Sequence, residues 1–479
     1  VPIASLAPRN VSGVQPALEY RNQTAGPPTV SGDDFACCGG KLLMCGETKS
    51  RADSGALLLC LTVLPRDILR YLARAPLLRY SFPRNMEQLL DTFQDKYAHP
   101  AREVVRSPLR ICPLGAHVDH QDGVVTGLAL DESVDLAFGA NPDGYVRVQS
   151  VDFPDEEYFH LDEVPPMIPT YWGNYLRGAV LSLQNRFKLT RGINGVVQGK
   201  LPIGGLSSSA AVTTAYLMAL ARVNDLQIEP AELIQFSHWV EREFIGLNNG
   251  ILDQSANILS RDGYLMHMDC RTGESELVPR SPQMPDFEIV IVYSGISTTL
   301  IKTDYNNRVD ECKVAAWLLQ ELGELPISSF REVTLRDIPR ETYETYRDAL
   351  PGRFQRRADH FFTELDRVAA GVHAWGEGDI AALGAQMFAS GESSIFNYES
   401  GCPELITIYE TLRTTPGVHG ARFSGAGYRG ACIGLVDPAR KDEIAESIHR
   451  AYPAAHPAFR DQYRVFFGRT DDGARIVPV

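Results

Sequence analysis

The sequence predicts an α+β protein with two or more domains, and three observations carry that expectation. Strand-like runs gather in three separate passages with longer helical runs between them, and the two kinds do not alternate strictly as a βαβ chain would. The length, 479 residues, exceeds what a single hydrophobic core usually serves. With 44% hydrophobic and 22% charged residues, the composition is that of an ordinary globular protein able to bury a large core.

The elements follow in order. Residues 1–55 mix Pro, Gly, Ser and Asn without clear periodicity, and the whole of 1–79 is expected to be an extension, partly disordered, with plastid targeting as an alternative role. In "SFPRNMEQLLDTFQDKYAHP" the pattern becomes regular: Met86, Leu89, Leu90 and Phe93 repeat at helical spacing and Pro100 stops the run. Strands are expected at "EVVRSPLRI", "SVDLAFG", "YVRVQSV" and "GVVQG", then helices at 173–187, 209–223, 231–246 and 306–322. "FEIVIVYSG" opens a second strand-rich passage and "GARFSGAGYRGACIGLV" a third.

Charge and cysteine usage remove several classes of function. Lys and Arg total 46 against 60 Asp and Glu, a formal charge of -14, and no basic tract of the kind that binds nucleic acid or anionic lipid occurs. Any anionic ligand must therefore be held by a local cluster of donors. The longest early apolar run, "ALLLCLTVL" at 56–64, is far short of the ~20 residues of a membrane span. The nine cysteines are scattered, with only Cys37 and Cys38 adjacent and no CxxC pair, a pattern that fits reduced thiols in a cytoplasmic enzyme.

The chemistry is densest in "GKLPIGGLSSSAAVTTAYLMAL", residues 199–220. Two glycines and three serines precede an apolar-periodic helix, so free backbone N–H groups, hydroxyls and the positive helix end converge where a polyphosphate would sit. The stretch has neither the Gly-Lys-Ser/Thr ending of a Walker loop nor GxGxxG spacing. A plain Gly turn before a Ser-rich helix start is the simpler alternative. A second dense stretch, "ICPLGAHVDHQDG" at 111–123, sets two histidines and two acids within a few positions of Gly115-Ala116. A transition-metal site there would want more nitrogen or sulfur ligands; a pocket for a polyol is the better reading.

Taken together, these stretches resemble a known family. Leu-Pro-x-Gly-Gly-Leu-Ser-Ser-Ser-Ala is similar to the second motif of the GHMP small-molecule kinases, "SPLRICPLGAHVDHQDG" resembles the galactokinase signature, and "GARFSGAGYRGACIGLV" resembles the glycine-rich third motif. The resemblance covers roughly residues 80–479. It implies a two-domain GHMP kinase fold with the active site in the cleft between an N-terminal domain at 80–286 and a C-terminal domain at 287–479. Within the galactokinase-like branch, "LRICPLGAH", "NGILDQSA" and "GARFSGAGYRG" look most like the plant galacturonokinase type. The implied reaction is ATP-dependent phosphorylation of D-galacturonate at its anomeric hydroxyl. Kinases for galactose, L-arabinose or glucuronate, or a sensor that binds without turnover, are the alternatives.

The resemblance also implies residue roles. Asp253 matches the catalytic aspartate at the acceptor hydroxyl, and Arg110 the arginine that pairs with it and stabilises the transferring phosphate. Pro202, Gly204, Gly205, Leu206, Ser207, Ser208, Ser209 and Ala210 form the ATP loop, and Trp172 and Tyr175, at i and i+3, are expected on one helix face near adenine. Ser209 and Glu241 match the Mg²⁺-linked pair, with Glu243 a competitor for the second place. His117, Asp119, Gly250 and Tyr305 match sugar contacts. Ala116 stands where galactokinases have a Glu that receives the sugar's terminal CH₂OH. A uronic acid carries a carboxylate there, so Ala removes a like-charge clash and makes room. His120 and Arg429 also depart from the galactokinase pattern, and either is a candidate partner for that carboxylate, with phosphate binding or a solvent-facing position as the alternatives for Arg429. The expected partners are thus a small sugar acid and ATP, with neither nucleic acid nor membrane.

Overall fold

A computed structural model of the protein describes residues 86–199, 205–296 and 303–479. The expected extension at 1–79 lies outside them, as do Pro202 and Gly204 of the serine loop. In chain order the main elements are α1 (Met86–Tyr97), β1 (Glu103–Ile111), β2 (Val124–Asn141), β3 (Tyr145–Ser150), β4 (Glu156–His160), α2 (Asn174–Gln184), β5 (Gly192–Gly199), α3 (Ser208–Val223), α4 (Pro230–Trp239) and α5 (Leu252–Leu259). Then come β6 (Tyr264–Asp269), β7 (Ser275–Pro279), β8 (Glu288–Tyr293), α6 (Tyr305–Leu322), α7 (Arg340–Tyr346), α8 (Gly352–Glu377), α9 (Ile380–Phe396) and α10 (Pro403–Thr414). The chain finishes with β9 (Val418–Phe423), β10 (Ala431–Val436), α11 (Lys441–Ala455), β11 (Arg464–Gly468), β12 (Thr470–Asp471) and β13 (Arg475–Pro478).

The first sheet has the order β13-β1-β2-β5-β3-β4. Its pairs are antiparallel except β3 with β5, and the first residues of β2 turn aside to pair with β6. The 18-residue β2 contains the expected strand at 133–139 and extends well before it, so one strand serves two ladders. α1 forms where its periodicity places it and buries Leu89 and Phe93 against Val104, Ala137 and Val196 of the sheet.

The second sheet, β11-β8-β10-β9, is antiparallel throughout. "EIVIVY" in β8 is apolar almost without interruption because both faces are covered. Ile289 and Ile291 pack with Trp375, Leu383 and Met387 of α8 and α9, while Val290 and Val292 pack with Leu405 and Ile408 of α10 and Ile444 and Ile448 of α11. Each such side chain contributes roughly 1.5–3 kcal/mol. The last strands then return to the first sheet, β12 on β2 and β13 on β1, so the expected region 287–479 does not contribute only to the second sheet.

Three features position the site. α3 starts directly after the serine loop, α5 presents its first turn beside β1, and α8 runs beneath the 111–123 loop, with Leu114 packed at Gly371. The helix expected at 231–246 is α4 continued by a π-helical turn, Val240–Ile245. The five cysteines among the described residues are free. No helix among those residues is long and apolar enough to cross a membrane.

Candidate active site

The residues expected to carry chemistry meet in one cavity. Arg110, Ala116, His117, Asp119, Gly205, Ser207, Ser209, Glu241, Asp253, Tyr305 and Arg429 all line it. Wider grooves open elsewhere on the surface, one between α10 and α11, and none of these residues reaches that one.

Arg110 lies on β1 where the strand register shifts after Pro108, an irregularity of the kind that re-aims a side chain. Its Nε and Nη2 donate to the same oxygen, Asp253 Oδ1, at 2.8 and 2.6 Å. Oδ2 therefore has no hydrogen bond among the described residues. Asp253 sits in the first turn of α5, where the unpaired helix N–H groups favour a carboxylate. Arg110 Nη1 reaches the Gly205 carbonyl and Ser424 Oγ at 3.5 and 3.4 Å, so one guanidinium ties the aspartate to both glycine-rich motifs.

Those motifs are interlocked through backbone. Gly205 has a φ of +95°, and a Cβ built there would lie 2.8 Å from the Ala431 nitrogen; only glycine fits. Ser207 also takes a left-handed conformation, as the N-cap of α3, yet its buried hydroxyl caps nothing and has no partner. An orphaned hydroxyl at a helix N-terminus, lining a cavity, is a ready donor to an anion. Ser208 follows at the first helical position, and Leu206 and Ala210 are buried core.

Glu241 lies on the π turn, buried, and accepts from Asn249 Nδ2 at 2.6 Å and Gln254 Nε2 at 2.7 Å, both on Oε2. Ser209 lies beside both Glu241 and Tyr175. Burial, and after it the charge of Asp253, pushes the Glu241 carboxyl up to about 7. Glu243 instead faces solvent beside Arg242, away from the cavity that Glu241 lines. Carboxylate and hydroxyl oxygens form a donor set suited to a hard cation, and a carboxylate crowded by another negative group would be relieved by one. Ser209 and Glu241 therefore fit Mg²⁺.

Elsewhere in the cavity, burial and the nearby Asp253 raise the pKa of Asp119 to about 6, against the lowering effect of the His120 and Leu252 backbone and of Arg110. Gly250 explains that approach: a Cβ on it would lie 2.6 Å from Asp119 Oδ2, so its expected role in binding sugar becomes one of letting Asp119 close on α5. His117 stacks on Tyr398 at 4.1 Å and 5°, and burial holds its imidazole neutral, well below the ordinary pKa. Tyr305 opens α6 next to Asp119 and Asp253.

Three expectations are revised by the geometry. His120 does not supply positive charge: burial lowers its pKa to about 3, and its two ring nitrogens are engaged by Tyr398 Oη and Gln121 Nε2 at 3.0 Å each. Trp172 and Tyr175 do not share a helix face. α2 begins only at Asn174, the Trp172 indole donates to the Pro154 carbonyl, and Tyr175 turns toward Ser209 and Glu241. Arg429, expected at the sugar carboxylate or at phosphate, lies by Tyr175 and Tyr293, a position that suits the second of these. The sequence reading also missed Asn249 and Gln254, which flank Asp253 in "NNGILDQ", and Glu364 on α8. Glu364 Oε1 accepts the N–H groups of Gly115 and Ala116 at 2.9 and 3.0 Å and fixes that turn from beneath.

The model of the GHMP kinases N terminal domain matches residues 174–261, and that of the GHMP kinases C terminal matches 369–454. A galacturonokinase of Arabidopsis thaliana is 39% identical over 78% of this chain and 93% of its own length. The chain belongs to the GHMP kinase family. A galactokinase of Roseiflexus sp. is 30% identical to this kinase over 81% of the chain and 96% of its own. Among solved structures, Lactococcus lactis galactokinase complexed with galactose superposes with a TM-score of 0.74 at 26% identity, over 81% of this chain and 99% of that one. The mevalonate kinase of Methanococcus jannaschii, at 15% identity and a TM-score of 0.52, shares the fold. The protein is thus a GHMP sugar kinase, and its cavity is lined from both halves of the chain.

Proposed function

We propose that this kinase transfers the γ-phosphoryl group of ATP to the anomeric hydroxyl of D-galacturonate, giving galacturonate 1-phosphate and ADP. The observation that carries the substrate is Ala116. It is buried, lines the cavity, and has its backbone N–H held by Glu364 and its carbonyl by His360 Nε2 at 2.8 Å, so the methyl group cannot swing away. A site that receives a neutral CH₂OH gains from an acceptor here; one that receives a carboxylate gains from its absence. The galacturonokinase relative supports the same choice.

In the reaction, Asp253 Oδ2 takes the proton of the acceptor hydroxyl as that oxygen bonds to the γ-phosphorus and the bond to the ADP oxygen breaks. Arg110 holds Asp253 through Oδ1 and stabilises charge developing on the transferred group. Gly205, the Ser207 hydroxyl and the start of α3 receive the polyphosphate, while Asp119, His117 and Tyr305 orient the sugar. Mg²⁺, held by Ser209 and Glu241, would neutralise phosphate oxygens when bound.

The test is ADP release with galacturonate, glucuronate, galactose and L-arabinose, each at saturating ATP and Mg²⁺. The highest kcat/KM should belong to galacturonate. A preference for galactose would overturn the substrate and leave the kinase chemistry intact, and turnover with none of the four would favour a binding protein.

A further inference from the structure

Four arginines among the described residues are buried: Arg110, Arg177, Arg357 and Arg422. Three are neutralised by carboxylates, Arg110 by Asp253, Arg177 by Glu157, and Arg357 by Glu311 and Glu399. Arg422 is the exception. It is 2% exposed and lines the cavity, yet no described carboxylate lies within ion-pair distance of it. Its Nη1 donates to the Cys112 carbonyl at 2.6 Å, and its buried Nε has no partner at all. An unneutralised guanidinium away from water costs several kcal/mol, so its retention calls for an anion.

The strand explains the direction in which it points. On β9, Ala421 and Phe423 face the core under α10 and α11, which turns Arg422 to the opposite face. There its neighbours are Cys112, His117, His360 and Glu364, the groups that surround Ala116. The thiol and both imidazoles are neutral, burial being the largest cause in each case. Glu364 is already engaged by Arg367, Ser390 and two backbone N–H groups. Arg429, the cavity's other guanidinium without a carboxylate partner, lies at the far end with Tyr175, which itself touches Ser209.

We infer that Arg422 binds the carboxylate of the sugar acid, beside the space that Ala116 leaves open, and that Arg429 serves the nucleotide phosphates. This inference rests on the proposed uronate substrate. The guanidinium of Arg422 keeps an Nε N–H that no described residue accepts, and an anion drawn in beside it would satisfy that donor. Arg422 is then the attractive half of a specificity device whose other half is the missing negative charge at 116.

The experiment compares galacturonate with its C6 amide, galacturonamide, which keeps the shape and loses the charge. For wild type, Arg422→Gln, Arg422→Lys and Arg429→Gly, kcat/KM for each sugar and KM for ATP are measured. Wild type should prefer the acid. Arg422→Gln should lower kcat/KM for galacturonate about 10²-fold, bring the acid-to-amide ratio near one, and leave KM for ATP within about twofold. Arg422→Lys, which keeps the charge and loses the Nε donor, should fall in between; if the Gln variant does not fold, a Lys variant with the wild-type ratio overturns the inference. Arg429→Gly should raise KM for ATP and keep the ratio. Equal loss on both sugars in Arg422→Gln, or collapse of the ratio in Arg429→Gly, also overturns it. A wild type that prefers galactose instead removes the uronate reading itself, an outcome distinct from a uronate kinase indifferent to Arg422.

Discussion

Replacing Ala116 by Glu restores the galactokinase residue in a setting rigid enough for the consequence to be worked out. The backbone at 116 is fixed on both sides by Glu364 and His360, so the new carboxylate has to project into the cavity. Two carboxylates about 5 Å apart at an effective dielectric of about 20 repel by about 3 kcal/mol, on the order of a 10²-fold loss in kcat/KM for galacturonate. Galactose has a hydroxyl at the same carbon, and its hydrogen bond to the new Glu should hold or raise its own kcat/KM. The assay is coupled ADP release with each sugar, read as the ratio of the two constants, because a general folding defect lowers both together. An unchanged ratio would show that residue 116 does not face C6, and the reasoning from Ala116 would fail.

Other perturbations probe the remaining parts. Asp253→Asn should lose on the order of 10²-fold or more in turnover while ATP binding, followed by calorimetry, persists; near-normal turnover removes Asp253 from the proton transfer. Because the folded Glu241 has its pKa raised to about 7, ionising it costs stability that is intact below the unfolded value near 4.5 and lost as pH rises through 7. Glu241→Gln should therefore gain on wild type by about 3 kcal/mol across that window in metal-free urea unfolding, and a flat difference would count against the buried carboxylate. A chain starting at Leu78 should remain folded and active, since no motif lies before it; an inactive product from an active full-length parent would move the boundary of the kinase unit.

Much of the site was legible because its residues are local in sequence. "GAHVDH", "GGLSSSA" and "NGILDQ" each place several functional groups within one turn, and their chemistry survives without coordinates. What could not be read depends on partners far apart in the chain. Arg422 stood inside a quoted motif, but its lack of a carboxylate is a fact about space. His120 looked like a source of charge until burial and Tyr398, 278 residues away, fixed it as neutral. Among the elements, α9 is the instructive omission. "IAALGAQMFASGESSIF" is rich in Gly and Ser and reads weakly as a helix, yet Gly384 is required where the helix lies on β9, since a Cβ there would sit 1.9 Å from the His419 carbonyl. Tertiary packing outweighed propensity. The π turn was invisible for a related reason: one extra residue changes which side chain faces inward without changing the periodicity around it.

The return of the final strands to the first sheet has a consequence for how the protein is made. β1 leaves the ribosome long before β13, the partner for one of its edges. During that interval the edge offers unpaired N–H and C=O groups, the kind of template that recruits a wrong strand. The Val479 N–H closes on the Arg102 carbonyl at the same corner. Topology here sets a timetable: α3 can take shape while the chain is still growing, whereas the sheet that carries Arg110 is completed only once β13 has emerged.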